Sequence, residues 1–528
     1  MNKKRGSIMI KKYLYQALLL ALVLAMSGGC ARAAELPAPA DPMGKYQFRG
    51  AWIATVANID WPSKPGLTPG QQREEFIRLL DVATDLKLNA VIVQIRPAAD
   101  AFYRSQINPW SEYLTGVQGA DPGYDPLAFM IQQAHARNLE LHAWMNPFRA
   151  SNYTTDKGWS QLSVIKQHPQ WIVDYDNKKL INPGVPEARE YVIRSVLEVV
   201  RNYDVDAIHF DDYFYPYPAQ GKDFPDDTAY NAYNSGQFPN KADWRRDNIN
   251  QFMQGVYQAI KQEKPYVRLG VSPFAIWRSK AADPAGVSVK TDMSTYDKLY
   301  ADTRLWVRNE WVDYIAPQIY WEFSNNAAPY EEILNFWVEE MENNRNVQLY
   351  IGHATYRVGT EGAWLDPMEI PNQIKMNQQH DVVKGSIFYN MSSLVRDPLG
   401  FEDEIKSGVY RYYALIPPAL TKPGQEPAPD SVTIKEIKPV KSANEITIFT
   451  GGGDVDHFVI YRCRGAAAPN TDDPAQIAAI VKKNQPFQQV YTDRLDTAYT
   501  GMIYTYAVTA VNRLNQESAA SQPVSVTN

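Results

Sequence analysis

Between Arg49 and Leu415 the chain alternates between two kinds of hydrophobic pattern. Short runs are almost wholly apolar, as in AVIVQI at residues 90–95 and GSIFYN at residues 385–390. A strand needs such a run when helices cover both faces of its sheet, which is typical of parallel sheets. The pattern predicts eight strands, at Gly50–Val56, Ala90–Arg96, Glu140–Met145, Asp206–Phe210, Arg268–Pro273, Tyr314–Ile319, Gln348–His353 and Gly385–Tyr389.

The segments between these runs have the period of amphipathic helices. Residues 186–203 are an example, because Val192, Val196 and Val199 recur along one stripe with charged residues between them. Eight strand–helix units in succession are typical of an α/β fold in which the strands close on themselves. The sequence therefore predicts a (β/α)8 TIM barrel over residues 46–415.

Two further regions follow the predicted barrel. Residues 416–430 carry five prolines and no periodicity, which predicts a linker. Residues 431–528 change to short alternating runs, which predict a small all-β sandwich. Within it, YTYAVTAVNRLNQESAAS (Tyr504–Ser521) resembles the penultimate strand and turn of a fibronectin type III domain. No charged or aromatic cluster there indicates chemistry, so we expect a spacer or a protein-docking role.

The amino terminus has the pattern of an export signal. Basic residues flank an apolar run from Ala17 to Met26 that is shorter than a membrane span requires. The run ends in Ser-Gly-Gly before Cys30, which resembles a bacterial lipoprotein processing site. We expect residues 1–30 to act as a signal, with Cys30 lipidated; ordinary cleavage within residues 31–34 is the alternative. The protein would then be exported, either periplasmic or anchored to the outer membrane through its lipid.

Composition and charge exclude several classes of protein. The chain has 528 residues, 45% hydrophobic and 21% charged, as in soluble globular proteins. Without residues 1–29, which hold five basic and no acidic residues, the formal net charge changes from −6 to −11. Nucleic acid is therefore not an expected partner. Phosphate-binding glycine loops and an HExxH zinc pair are absent from the sequence, so no cofactor and no metal are expected.

Polar and aromatic side chains follow every predicted strand. In a (β/α)8 barrel the carboxyl ends of the strands meet at one mouth, where chemistry occurs. Carboxylates among aromatic rings indicate glycoside cleavage, since one acid protonates the leaving oxygen and a second group stabilises an oxocarbenium-like centre. Three acids are predicted to be catalytic, namely Asp211, Asp212 and Glu322. The predicted sugar-binding residues are Arg96, Trp144, Asn146, His209, Tyr213, Tyr215, Trp277, Gln318, Tyr320, Trp321, His353, Tyr356 and Asn390.

Three motifs resemble the glycosyl hydrolase-like family 10 barrel over about residues 46–415. They are FRGAWIATVANIDWPS (Phe48–Ser63), INPGVPEAREYV (Ile181–Val192) and DAIHFDDYFYP (Asp206–Pro216). The family includes a divisome-localised lipoprotein that cuts peptidoglycan glycan strands already stripped of their stem peptides. The resemblance implies a bacterial envelope glycosidase whose substrate is a GlcNAc-containing polysaccharide, with peptidoglycan glycan strands as the first choice.

Two mechanisms remain open for the three acids. The HFDDY segment is similar to hexosaminidases that use the acetamide of the substrate; there Asp211 would hold the acetamide N–H and Asp212, its pKa raised by repulsion, would donate the proton. Alternatively, Asp211 is nucleophile or base and Glu322 is the acid, roughly 5–5.5 Å apart for retention or about 6.5–9.5 Å for inversion. Structural roles are also open, with Asp212 as a cap and Glu322 as an ion-pair partner of Arg278 or Arg357.

Two rival functions share the same sequence features. One is a glycan-binding envelope lipoprotein without turnover, because barrels also host binding alone. The other is a hydrolase of a dietary or host polysaccharide.

Overall fold

The computed structural model describes residues 44–420, 427–451, 453–495 and 501–527. The predicted signal over residues 1–30, with Cys30, and the middle of the predicted linker lie outside these residues. Within the described ranges, no helix combines the length and the apolar character that crossing a membrane requires.

Eight parallel strands close into a barrel, which confirms the predicted α/β fold class. Each barrel strand pairs with the next along the chain, and the eighth pairs with the first. The second, third and seventh have the predicted bounds. The strands are β1 Phe48–Ile53, β2 Ala90–Arg96, β3 Glu140–Met145, β4 Ala207–Phe210, β5 Arg268–Val271, β6 Tyr314–Ile315, β7 Gln348–His353 and β8 Val383–Phe388.

Prolines shorten the fifth and sixth strands relative to the prediction. Proline has no N–H to donate to a sheet ladder, so β5 ends before Pro273 and β6 before Pro317. Beyond Pro317, Gln318 still forms isolated bridges with Phe274 and Gly352 on its two sides. The chain after β6 therefore stays against its neighbours and holds Gln318 at the carboxyl end of the barrel.

Eight helices follow the eight strands and cover the outside of the barrel. Three of them begin with a proline, at Pro69, Pro126 and Pro186, where the first-turn N–H has no partner within the helix anyway. The helices are α1 Pro69–Asp85, α2 Pro126–His135, α3 Pro186–Asn202, α4 Lys241–Glu263, α5 Thr303–Arg308, α6 Tyr330–Glu342, α7 Glu369–Asn377 and α8 Met391–Arg396. Other short helices lie in the connections, at Glu112–Thr115, Val164–Gln167, Asp227–Tyr233, Thr295–Lys298 and Phe401–Glu404.

A small antiparallel sheet is inserted between β3 and α3. Its strands are Arg149–Ser151, Ile172–Tyr175 and Lys178–Ile181, with Lys178–Ile181 in the middle. Asp176 and Asn177 form the turn between the last two strands with φ of 47° and 60°, a backbone that Asp and Asn tolerate. Because the sheet begins directly after β3, it stands at the mouth of the barrel.

Large aromatic rings fill the inside of the barrel. Phe48, Trp52, Tyr314 and Tyr350 belong to one buried cluster, in which the Phe48 and Tyr350 rings stack with centroids 4.2 Å apart. Gly270 on β5 makes room for this packing, since a Cβ there would lie 1.9 Å from the Tyr314 ring. The interior is therefore a packed core rather than a pore, as in other barrels of eight strands.

A chain of polar side chains runs through this aromatic interior. It begins at the amino ends of the strands, here called the floor, where Glu140 bonds His142 at 2.9 Å. The Tyr314 hydroxyl then joins two imidazoles, His142 at 2.8 Å and His209 at 2.9 Å. His209 in turn bonds Ser272 near the mouth at 3.0 Å. Each of these five side chains thereby has a hydrogen-bond partner, which the low-dielectric interior favours.

The carboxyl-terminal residues form two antiparallel sheets, which confirms a small all-β region after the barrel. One sheet contains β9 Thr433–Val440, β10 Ala443–Phe449 and β13 Gln488–Arg494; the other contains β11 His457–Arg464, β12 Ile477–Lys482, β14 Ile503–Val511 and β15 Val524–Thr527. Ile446, Phe458 and Tyr506 pack in a shared core. The fibronectin type III resemblance stays a prediction.

The carboxyl-terminal domain contacts the floor of the barrel. The Asn515 amide donates to Glu140 at 2.9 Å. Lys45, which precedes β1, bonds Glu517 at 2.6 Å. Both contacts lie at the amino ends of the strands, so this domain covers the floor.

Candidate active site

Strand β4 delivers two adjacent carboxylates to the mouth. All four residues of β4 are buried, and the chain continues directly into Asp211, Asp212 and Tyr213. Asp211 is 8% exposed and Asp212 is 5% exposed, so both carboxyl groups have lost most of their water. Ionising both of them in this setting is unfavourable, because burial and mutual repulsion both oppose the second charge.

A cleft of about 160 Å³ opens above the aromatic interior at the carboxyl ends of the strands. Its lining comes from most of the way round the barrel, and the two carboxylates lie within it. The lining residues are Trp52, Val56, Trp144, Asp211, Asp212, Tyr213, Ser272, Gln318, Tyr320 and Tyr389.

The two carboxylates have different hydrogen-bond partners. Asp211 accepts from the Asp212 backbone N–H at 2.8 Å and from Gln318 Nε2 at 3.1 Å, both on the same oxygen. Donors of this kind stabilise an ionised carboxylate. Asp212 meets the hydroxyl of Tyr217 at its Oδ2.

The environment of Asp212 favours its protonated form. Burial, followed by the negative charge of Asp211, raises the pKa of Asp212 well above its usual range, and the Tyr217 hydrogen bond acts in the opposite direction. Asp212 is therefore the member of the pair that favours a bound proton, and the charge of Asp211 is one of the reasons. An acid beside a carboxylate is the division of roles that glycoside cleavage uses.

Aromatic rings form the walls of the cleft. Tyr320 and Tyr389 stack with centroids 6.0 Å apart at an interplanar angle of 21°. Tyr356, 42% exposed, meets both rings at their edges. Trp144 lines the cleft, and its buried indole N–H has no hydrogen-bond partner among the described residues. A sugar has apolar C–H faces that can stack on the aromatic rings, and it has oxygens that can accept a hydrogen bond from the indole N–H.

His209 lies beneath the cleft and supports it. Its Nε2 accepts from the Trp52 indole at 3.1 Å and contacts the Ser272 hydroxyl at 3.0 Å. Burial, followed by the charge of His142, lowers the pKa of His209 well below its usual value. A neutral imidazole with an accepting Nε2 fixes two cleft residues in place, so the predicted sugar-binding residue acts from behind the surface.

Glu322 is not among the residues that line the cleft. Its carboxylate accepts from the Trp364 indole at 3.1 Å and from the Asn325 amide at 3.2 Å, both in loops of the mouth. In the described part of the chain it forms no ion pair with Arg278 or Arg357. The structure therefore brings Asp211 and Asp212 together and leaves the third predicted acid in a separate hydrogen-bonded site.

The predicted sugar-binding residues divide into two groups. Trp144, Tyr213, Gln318 and Tyr320 line the cleft, with Tyr356 at its edge. Asn146 lines a neighbouring cavity, and the others make contacts that support the loops and the barrel. Arg96 donates to the Asn146 carbonyl at 2.6 Å, Trp277 donates to Asp302 at 3.2 Å and Asn390 donates to Asp60 at 2.8 Å. His353 bonds Gln373 at 3.0 Å. The Tyr215 ring packs against Phe224 and Tyr300, and the Trp321 ring packs against Phe274.

Four cleft residues were not predicted, namely Trp52, Val56, Ser272 and Tyr389. Ser272 and Tyr389 stand at the ends of predicted strands, so the strand-end rule contained the signal for them. Trp52 lies inside β1, on the same face as Phe48, and only the inward–outward alternation of that strand could have found it.

A closed (β/α)8 barrel with a carboxyl pair and aromatic rings at its mouth defines a protein of the glycoside hydrolase class. The chain belongs to the glycosyl hydrolase-like 10 family, whose model matches residues 47–367.

Proteins with similar sequences are also named as glycosyl hydrolases. The chain is 43% identical over 503 residues to glycosyl hydrolase YngK of Bacillus subtilis, covering 92% of this chain and 95% of the relative. It is 38% identical over 381 residues to glycosyl hydrolase DigH of Escherichia coli K12, covering 68% and 86%. Among solved structures it is similar to the PgaB (BpsB) glycoside hydrolase domain of Bordetella bronchiseptica, with a TM-score of 0.46, 11% identity, and coverage of 69% and 98%. The family match and the sequence relatives make the chain a glycoside hydrolase.

Proposed function

We propose that this glycoside hydrolase cleaves a GlcNAc-containing polysaccharide of the bacterial envelope, with peptidoglycan glycan strands as its substrate. The observation that supports the chemistry is the unequal carboxyl pair. Asp211 accepts two hydrogen bonds at one oxygen, whereas burial and the Asp211 charge raise the pKa of Asp212. The pair is therefore ready to act as one charged and one protonated group.

The pair fits a mechanism in which the 2-acetamido group of the substrate is the nucleophile. Asp212 gives its proton to the glycosidic oxygen as the bond from that oxygen to C1 breaks. The acetamide oxygen bonds C1 and forms an oxazolinium ion, while Asp211 accepts a hydrogen bond from the acetamide N–H and stabilises its positive charge. Water then attacks C1 as the bond from C1 to the acetamide oxygen breaks, and it gives a proton to Asp212. This step restores both the acetamide group and the enzyme.

The competing assignment, with Asp211 and Glu322 as the working pair, has less support. Glu322 is engaged by Trp364 and Asn325 and does not line the cleft. That assignment also requires the Asp211 and Glu322 carboxyl groups to face one sugar, about 5–5.5 Å apart for retention or about 6.5–9.5 Å apart for inversion. Asp212 needs no such rearrangement, because it already lies beside Asp211.

The location in the envelope is part of the proposal. It rests on the basic and apolar pattern of residues 1–30 and on Cys30 after small residues, which are typical of an exported lipoprotein. A lipid at Cys30 would keep the enzyme near the polymer that the proposal assigns to it.

Digestion of defined glycans tests the proposal. Purified protein is incubated with peptidoglycan glycan strands, with chitooligosaccharides and with a panel of plant and host polysaccharides, and new reducing ends are counted. We expect release from the glycans that carry a 2-acetamido group and none from glycans that lack it.

Asp211→Asn and Asp212→Asn should each abolish release while binding of the glycan persists. Asp292→Asn is the matched control, since the Asp292 side chain is 91% exposed. A wild-type protein that binds these glycans but releases no ends would make the chain a binding protein. Preferred cleavage of a plant or host glycan would replace the envelope substrate.

A further inference from the structure

A second cavity adjoins the cleft on the side of the inserted sheet. It has a volume of about 180 Å³ and shares Tyr213 with the cleft. Tyr217, whose hydroxyl bonds Asp212, also lines it. A group bound in this cavity would therefore lie beside the carboxyl pair. The room corresponds to roughly six water molecules, which fits one substituent of a sugar ring rather than a second glycan strand.

The cavity contains a guanidinium that forms no ion pair with any carboxylate of the described residues. Arg149 lies with its guanidinium carbon 4.6 Å from the Tyr213 ring centroid. Its Nη1 donates a long hydrogen bond of 3.5 Å to the Pro97 carbonyl. The guanidinium also interacts with the Tyr213 hydroxyl and with the charge of Asp211. A guanidinium offers five N–H donors, so Arg149 keeps donors for a ligand beyond its contacts with Pro97 and Tyr213.

A buried amide adds a second donor that lacks a partner. Asn146 is fully buried, and its Oδ1 accepts from the Arg149 backbone N–H at 2.9 Å. Its Nδ2 is buried and has no hydrogen-bond partner among the described residues, and Asn146 is one of the residues that line the same cavity. A buried donor without a partner is unfavourable, and an acceptor from a ligand would satisfy it.

The remaining polar groups of the cavity leave its preference for acceptors unchanged. Lys178 bonds Asp176 at 3.4 Å, and both side chains are about half exposed, so their charges largely compensate. The Tyr175 hydroxyl already donates to the Lys222 carbonyl and accepts from the Ala219 N–H. The unsatisfied groups are therefore donors, and one of them carries a positive charge.

We propose that this cavity is a subsite for a carboxylate-bearing sugar, with Arg149 and Asn146 as the residues that recognise the carboxylate. A carboxylate offers two acceptor oxygens and a negative charge, which matches a planar guanidinium and an amide N–H. In the substrate of the proposed function, the group is the lactyl carboxylate of muramic acid. The inference rests on that function and adds a preference for an acidic sugar beside the cleaved bond.

The test compares matched glycans that differ only in charge. The wild-type enzyme is given GlcNAc–MurNAc strands with a free lactyl carboxylate and the same strands with that carboxylate reduced to an alcohol. Chitooligosaccharide and hyaluronan, whose acidic sugar is a uronic acid, are the further arms. We expect kcat/KM for the free acid to exceed that for the reduced strand about tenfold to a hundredfold, as a charge-assisted hydrogen bond implies.

Three variants locate the effect. Arg149→Gln should bring the ratio of free acid to reduced strand close to one, and Arg149→Lys should restore part of it because the charge remains. Lys178→Glu changes a side chain that is 41% exposed, so the fold should be retained, and it should lower the ratio by placing a negative charge at the cavity. Lys179→Gln is the control, because Lys179 is the next residue and bonds Asp174 at 2.6 Å outside the cavity; its ratio should equal that of the wild type.

The outcomes separate this inference from the function beneath it. Equal cleavage of free and reduced strands by the wild type overturns the acidic subsite and leaves the glycosidase intact. Faster cleavage of hyaluronan than of the free-acid strand overturns the lactyl assignment in favour of a uronic acid. Failure to cleave any of the four glycans overturns the proposed function together with the subsite.

Discussion

The pKa of a buried carboxyl group is shifted in opposite directions at the two ends of the barrel. At the floor, Glu140 faces Arg268 and His142, which outweigh the effect of burial and lower its pKa to about 2. At the mouth, Asp212 forms no ion pair with any of the described residues, and burial together with Asp211 raises its pKa. Burial therefore accompanies a stabilised negative charge on Glu140 at the floor and a favoured protonated form of Asp212 at the mouth.

This difference separates residues that hold the fold from residues that act on a substrate. A buried carboxylate with a cation and further hydrogen bonds is a structural group, and removing one partner leaves an uncompensated charge. A buried carboxylate beside another carboxylate destabilises the folded protein and persists where chemistry needs it. Breaking each pair should therefore affect different measurements.

The largest expected effect is on the pair at the mouth. Asp212→Asn and Asp211→Asn should each lower the rate of reducing-end release by about a thousandfold or more, because the proton donor or its charged neighbour is lost. The melting temperature should stay the same or rise, since a repulsive pair has been relieved. A loss of less than tenfold in both variants, with Asp292→Asn unchanged, would move the chemistry away from this pair.

The next effect is on the floor. Glu140→Gln should lower the free energy of unfolding by about 3–5 kcal/mol, because Arg268 remains buried without its counter-charge. Urea denaturation followed by fluorescence measures this loss, and the activity of the molecules that remain folded should be largely retained. A loss below about 1 kcal/mol would mean that water or Asn515 replaces the carboxylate without cost.

The two ends should also respond to pH with opposite signs. The pKa of Asp212 is raised, so its stabilising contribution is complete below about pH 3.9 and is lost as the pH rises through its folded value. The pKa of Glu140 is lowered, so its contribution is present above about pH 4.3 and is lost as the pH falls towards 2.

Thermal unfolding between pH 3 and pH 9 checks both signs. The gain in stability of Asp212→Asn over the wild type should grow with increasing pH, whereas the deficit of Glu140→Gln should shrink in acid. A stability gain for Asp212→Asn that is constant across this range would contradict a raised pKa.

The smallest expected effect comes from the hydroxyl that contacts the acid. The Tyr217 hydrogen bond lowers the pKa of Asp212, so Tyr217→Phe should raise it further and move the alkaline limb of the activity profile upward by up to about one pH unit. Tyr233→Phe is the matched control, because Tyr233 lies exposed on a connecting helix. A downward shift of that limb in Tyr217→Phe would assign the proton to another group.

Much of the fold follows from the sequence because strand position depends on local pattern. β2, β3 and β7 have the predicted bounds, since a fully apolar run ends where the sheet ends. The strand-end rule also located Asp211, Asp212 and Gln318, because residues directly after a parallel strand have little freedom to lie elsewhere.

The strand-end rule becomes less accurate for residues that lie further along the chain from the end of a strand. Tyr215 lies only five residues beyond β4, yet the chain has turned and its ring packs against Phe224 and Tyr300. Trp277 is similarly placed in a long connection and bonds Asp302. Tertiary contacts decide such positions, and hydrophobic periodicity carries no information about them.

The position of Lys45 has a practical consequence. Its bond to Glu517 fixes the start of β1 against the carboxyl-terminal domain, at the end of the barrel opposite the cleft. Any tether attached ahead of residue 44, whether a lipid, a dye linker or a bead, would hold the molecule at the floor of the barrel. An immobilised form of this enzyme made in that way would present its cleft outward, towards an insoluble polymer.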